Sequence, residues 1–331
     1  ALALLFVGAV AFFVLLLRGA GLLELWELKT QDLRTNWTLG PAKTLVRSDI
    51  VLVNITDASI DTVRRNNGMP FPWDWDFYAL FLAAAEKGKA ASVLFDLVLL
   101  EDREGADELA AALAAAPPTY FPAAFWDEKT SFREGDRKDA EALLVRFALP
   151  LQSDGSVRLP DRFQQVLLPA PKLVKGMAGF VCISTLRDAD GLIRRYPLLV
   201  TYKGRTYPTF PLAALMAREK AKDVRVRDRR LLVGSLSIPV EEDGSILLRY
   251  YPPGESFAWR EATQVLARMT GKDAKGFESA EFEGKTVVVG TSATALTDLR
   301  VTPVSKAMPG PEIHMVALAN ILNGDALREA P

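Results

Sequence analysis

The sequence predicts an α/β fold: a mixed, largely parallel central sheet flanked by helices, with a β-rich middle insertion and an N-terminal transmembrane helix. Three observations carry that expectation. Short β-branched runs at 50–55 (IVLVNI) and 285–290 (KTVVVG) have the composition of strands buried on both faces. Helical periodicity alternates with such runs early in the chain, as βαβ units require. Residues 1–17 carry no charged or polar side chain.

The elements follow in order. The run at 1–17 would span roughly 25 Å as a helix, slightly short of a hydrocarbon core. It is therefore expected to be the later part of a longer transmembrane helix. It is apolar all round, where a buried soluble helix would be amphipathic, and it exceeds the apolar core of a signal peptide. Leu22, Leu25, Trp26 and Leu33 recur at near-helical spacing among Glu24, Glu27, Lys29 and Asp32. The expected organisation is thus a transmembrane helix over 1–18, a juxtamembrane helix over 19–35 and one water-facing domain over 36–331.

Within that domain, Phe77, Leu80, Phe81 and Ala84 lie at i, i+3, i+4 and i+7, with Asp74 or Asp76 as N-cap and Gly88 as the stop. A second buried strand is expected over 91–99, so the first strand, helix and second strand make a βαβ unit. Further helices are expected over 109–116, 210–218, 259–269 and 312–322, and strands over 119–125, 177–183 and 193–202. Pro197 places the last of these at an edge or bulge. The segment 225–251, with its EEDG turn and its YPPG exit, has an antiparallel β pattern. The strand at 285–290 and the final helix are expected to rejoin the first sheet.

Composition excludes several classes of chemistry. With 40 Lys+Arg against 41 Asp+Glu there is no basic excess, and no nucleic-acid partner is expected. One Cys permits neither an internal disulfide nor a Cys-rich zinc site, and one His removes a His-only metal centre. No metal, cofactor or catalytic residue is expected. The candidate polar cluster is Asp57, Asp96, Thr291, Ser292, Asp298 and His314. Parallel strands would bring Asp57 and the 290–295 turn just beyond their C-terminal ends, where open α/β sheets bind ligands. The same residues serve equally well as caps and loop anchors. A Ser292–His314–Asp298 triad can be written down, but no spacing favours it, and the GTSATA turn lacks the glycines of a phosphate loop. His314, near a helix start, is expected to be a neutral, hydrogen-bonded histidine; contact with a ligand is the other reading. DADG at 188–191 is read as a turn, since the ligands of a calcium loop do not follow it. Trp73 and Trp75 form either an aromatic recognition surface or a plug of the core.

Several segments together resemble one family. They are QDLR (31–34), 50–60, 70–99, 188–198, YPTFPLA (207–213), DGSILLRYY (243–251) and the long stretch 282–322, which contains Asp298 to Pro303 and His314. The resemblance is to the CHASE2 family, the type-two cyclase/histidine-kinase-associated sensory extracellular domains. Two departures stand out: Thr56 occupies the first place of an acidic pair, and Phe71-Pro72-Trp73-Asp74-Trp75 lacks the family's Arg. The resemblance implies a periplasmic or extracellular sensor of a bacterial receptor in the inner membrane. Its output would be cytoplasmic, such as an adenylate cyclase or histidine kinase. A homodimer or higher homo-oligomer, with an unknown small-molecule or protein ligand, is the expectation that goes with a receptor whose flanking helices are shifted by binding. A membrane-anchored assembly module, or an anchored hydrolase using Asp57, Asp96 and Ser292, are the alternatives.

Overall fold

The computed structural model describes residues 22–40, 45–126, 139–272, 277, 281–294 and 299–328, together with 6–8, 12–13, 15–16 and 19. Helix α1 (Leu22–Thr38) leads to β1 (Arg47–Ile55), α2 (Asp57–Asn67), α3 (Trp75–Lys87), β2 (Ser92–Phe95), α4 (Ala106–Ala115), β3 (Thr119–Trp126) and α5 (Ala140–Phe147). The middle contributes β4 (Leu151–Ser153), β5 (Gln165–Leu167), β6 (Gly179–Cys182), β7 (Arg195–Pro197), β8 (Leu199–Tyr202), β9 (Arg205–Pro208) and α6 (Phe210–Glu219). Then come β10 (Val224–Arg227), β11 (Arg230–Val233), β12 (Leu236–Pro239), β13 (Ser245–Leu247), β14 (Phe257–Glu261) and α7 (Ala262–Met269). Strand β15 (Thr286–Thr291), the hairpin β16 (Leu299–Thr302) with β17 (Ser305–Pro309), and α8 (Gly310–Asn323) complete the chain.

The central sheet runs β14-β1-β15-β2-β3, and β3 then pairs β6 along Tyr120–Ala123 and β5 along Ala124–Trp126. Every pairing is parallel except that of β5. Both faces are covered, which is why the 50–55 run is apolar without alternation. Val51, Val53 and Ile55 pack with Val63, Phe81, Leu109 and Val265 of the helices on one side. Ile50 and Leu52 pack with Leu212, Ile313 and Val316 of α6 and α8 on the other. Each such buried Val, Ile or Leu contributes about 1.5–3 kcal/mol. As expected, the strand read at 285–290 rejoins the first sheet: β15 inserts between β1 and β2, with Val288 level with Leu52 and Leu94. The β-rich middle includes the antiparallel β10-β11-β12 set, to which β4 adds in parallel.

Three expectations are corrected. The helix expected over 259–269 begins only at Ala262, because Phe257–Glu261 extends as an edge strand on β1 with Phe257 buried. The free edge of β1 supplies backbone partners, and this tertiary pairing overrides local helical spacing. The 193–202 run is two strands: β7 pairs β13, β8 pairs β9, and Leu198 between them bonds to Gly244. The strand expected over 91–99 ends at Phe95; Asp96 still bonds to β15 through its backbone N–H, and Leu97 to Leu99 leave the ladder.

Among the described residues no helix is long and apolar enough to cross a membrane. The run at 1–17 falls mostly outside the described residues. Of its members, 6–8, 12–13 and 15–16 are helical and exposed.

Gly290 lies in β15, where a Cβ would come 2.5 Å from Cγ of Pro311 in α8 and 3.5 Å from Cβ of Asp96. The proline ring is stiff and cannot swing away. Gly290→Ala is expected to cost about 1–3 kcal/mol in chemical denaturation. A stability equal to that of the parent chain would show that α8 is not held against β15 as closely as described.

Candidate functional site

At the C-terminal ends of β2, β3 and β6, the departing chains leave a cleft of about 770 Å³. The position is the one where parallel sheets place ligands. Phe71, Tyr78, Leu97, Phe125 and Phe163 supply apolar and aromatic surface, and Arg162, Arg187 and Arg300 also line the cleft. Asp96 and Thr291 are the sheet residues at its floor.

Asp96 is the first residue past β2, and only 7% of it is exposed. Its backbone N–H donates to Val289 O, keeping it level with β15. Its Oδ1 lies 3.5 Å from His314 Nε2, while its Oδ2 has no hydrogen-bond partner among the described residues. His314 in turn meets Tyr196 Oη through Nδ1 at 2.5 Å and is stacked on Phe210, centroids 4.7 Å apart. Burial pushes the Tyr196 phenol well above its ordinary pKa. A carboxylate, an imidazole and a phenol therefore line up inward from the cleft floor. His314 is hydrogen-bonded, as its place in the helix suggests.

The remaining candidates are arranged differently. Thr56, not Asp57, caps α2, its hydroxyl accepting from Ser59 N at 3.0 Å. Asp57 instead accepts from Thr294, N–H at 3.2 Å and hydroxyl at 2.9 Å. Thr291 donates to Ile55 O at 2.8 Å, and Ser292 accepts from Asn54 Nδ2 at 2.9 Å. These contacts lock the exit of β15 to that of β1. Ser292 is engaged there with Asn54, away from the Asp96–His314 pair. Asp298 lies outside the described residues. Trp73 and Trp75 are buried, Trp73 against Phe71 and Phe77, so they plug the core under the loop rather than form a surface.

The residue that sequence reasoning missed is Arg194, just before β7 and 2% exposed. Its guanidinium makes five hydrogen bonds. Nε and Nη2 reach Asp32 Oδ1 and Oδ2, both at 2.8 Å. Nη1 reaches Asp188 and Asp190, each at 2.9 Å, and Nη2 reaches Asp190 at 2.8 Å. All five N–H donors of an arginine are thereby used. Asp32 belongs to α1, so the clamp joins that helix to the domain. Lys29 adds an ion pair to Asp190 at 3.6 Å, and Asn36 donates to Pro303 O at 2.8 Å. Burial disfavours the Arg194 charge, but the hydrogen bonds it donates to Asp32, Asp190 and Asp188 outweigh that and raise the pKa above its ordinary value. The one local signal was DADG at 188–191, separated by Leu192 and Ile193 from a pair of arginines; the partner Asp32 is remote in sequence.

The Arg194 hydrogen bonds are the largest influence holding the Asp190 carboxyl down at about 2. A carboxyl so depressed stabilises the fold fully above its unfolded pKa of about 3.9, and the contribution is lost as pH falls through about 2. Asp190→Asn is therefore expected to flatten part of the stability loss between about pH 4 and pH 2 in acid titrations followed by circular dichroism. An unaltered acid slope would mean that Asp190 is not paired with Arg194 in solution.

No curated protein and no solved structure matches the chain. The family model of the CHASE2 domain matches residues 8–331, almost all of the chain. The protein belongs to the CHASE2 family of sensory extracellular domains.

Proposed function

We propose that this chain is the extracytoplasmic sensory domain of a bacterial transmembrane receptor. In this reading it is anchored in the inner membrane by its apolar N-terminal run and relays occupancy of the cleft to a cytoplasmic cyclase or kinase. The observation that carries the reading is the Arg194 clamp. It ties the folded domain to α1, the helix that follows the apolar run, through a buried charge-saturated contact. Support for the coupling comes from connectivity: Arg194 and Tyr196 sit two residues apart at the start of one strand. Tyr196 is the inner end of the contacts from Asp96, so the cleft floor and the helix clamp share a single short strand. A ligand that favours one placement of Asp96 and His314 would bias the placement of β7, and so of α1.

The same helix supports a dimeric assembly. Trp26, Leu33 and Trp37 are exposed. With Thr30 they follow the 4-3-4 spacing of a coiled-coil seam, offset from the side that carries Lys29, Asp32 and Asn36. The occupant of this stripe is the same helix of a second copy, since a two-fold seam presents like surfaces to each other.

In the full-length protein in membranes, single substitutions Trp26→Cys, Thr30→Cys, Leu33→Cys and Trp37→Cys are expected to cross-link between protomers. Gln31→Cys and Thr35→Cys, on another side of the helix, are expected to remain uncrosslinked. Locking different seam positions should set the output to different levels. An output that stays constant in every locked register would sink the relay, and a mass well beyond a dimer in detergent would favour an assembly role.

A further inference from the structure

We infer that the cleft beyond β2 takes a small zwitterion, with an ammonium group at the Asp96 floor, an aliphatic or aromatic body, and a carboxylate at the arginine rim. The assignment rests on the sensory reading above and supplies its ligand class. It begins with Asp96 Oδ2, an oxygen of a side chain 3% exposed that lines the cleft and finds no hydrogen-bond partner among the described residues. A buried acceptor left in this way costs about 1–3 kcal/mol, more when charged. The other oxygen faces His314, so this one is left without a donor or a counter-charge beside the cleft.

The walls and the rim narrow the chemistry. The volume of about 770 Å³ falls within the range of small-molecule sites, and the walls offer Leu97, Phe125, Phe163 and Ile183 to an apolar body. Arg162 and Arg187 are exposed and line the same cleft. Arg162 has a distant ion pair, 3.9 Å to Asp243, which leaves its planar fork suited to a carboxylate. A simple anion would meet the Asp96 carboxylate, and a simple polyamine would meet the arginines. A molecule carrying both charges on an apolar body satisfies floor, wall and rim together.

The test is calorimetric titration of the chain in detergent with 6-aminohexanoate and phenylalanine, and with hexylamine, hexanoate and 3-phenylpropanoate as single-charge counterparts. At least one zwitterion is expected to bind, with its single-charge counterparts at least about tenfold weaker. Asp96→Asn should reduce its affinity about 10–100-fold, the loss of a hydrogen bond to a charged group. Arg187→Gln, at the exposed rim, should weaken the zwitterion while leaving hexylamine unchanged, and it keeps the test open if Asp96→Asn fails to fold. Absence of zwitterion binding up to about 10 mM would overturn the assignment, as would hexanoate binding as tightly as 6-aminohexanoate. If the panel fails while locked helix registers still change the output, the ligand class falls and the sensory reading stands. If the registers also have no effect, both fall.

Discussion

A guanidinium removed from water must find five acceptors and a counter-charge, and Arg194 finds them only by recruiting a helix from outside the sheet. Two of its five hydrogen bonds end on Asp32. Without the Asp32 carboxylate, and with α1 still docked, Arg194 would keep Asp188 and Asp190 but leave two donors without acceptors in a site only 2% exposed. Breaking a buried charge contact of this kind is strongly destabilising, typically by about 3–5 kcal/mol. The domain therefore does not merely sit beside α1. Its buried arginine is complete only when the helix is docked, and Lys29 offsets part of the excess negative charge of the three carboxylates.

That constraint gives the rest of the architecture its meaning. Strand β7 carries Arg194 at its entrance and Tyr196 in its ladder, pairing with β13 rather than joining the main sheet. The main sheet meanwhile delivers Asp96 to the cleft floor, and α8 delivers His314 to the space between Asp96 and Tyr196. The approach of α8 depends in turn on Gly290, whose lack of a side chain admits Pro311. The cleft, the last helix and the clamp are thus joined by one sequence of contacts along β7, the path on which the proposed relay rests.

Much of the sheet was legible because its strands are buried on both faces and so read as unbroken apolar runs; 50–55 and 285–290 are the clearest cases. The edge strand Phe257–Glu261 was not legible. Its partner is the free edge of β1, remote in sequence, and its own residues fit a helix equally well. Among the site residues, Asp96 and Thr291 were identified from their place at strand ends, and both line the cleft. Asp57 and Ser292 were grouped with them on the same argument, yet they serve the lock between β1 and β15, because exit direction decides which side of the sheet a loop residue reaches. Arg194 was hidden for a different reason. Two adjacent arginines at the entrance of a strand do not reveal which one turns inward, and its decisive partner lies on α1, remote in sequence.

The central claim, that Asp32 and Arg194 fasten α1 to the domain, is tested most directly by hydrogen exchange of the peptides covering Leu22–Thr38 in the parent chain and in Asp32→Asn. The account predicts faster exchange across this helix and across 188–197 in the variant, with the β1, β2 and β15 peptides unchanged. Equal protection of the helix in both proteins would contradict it.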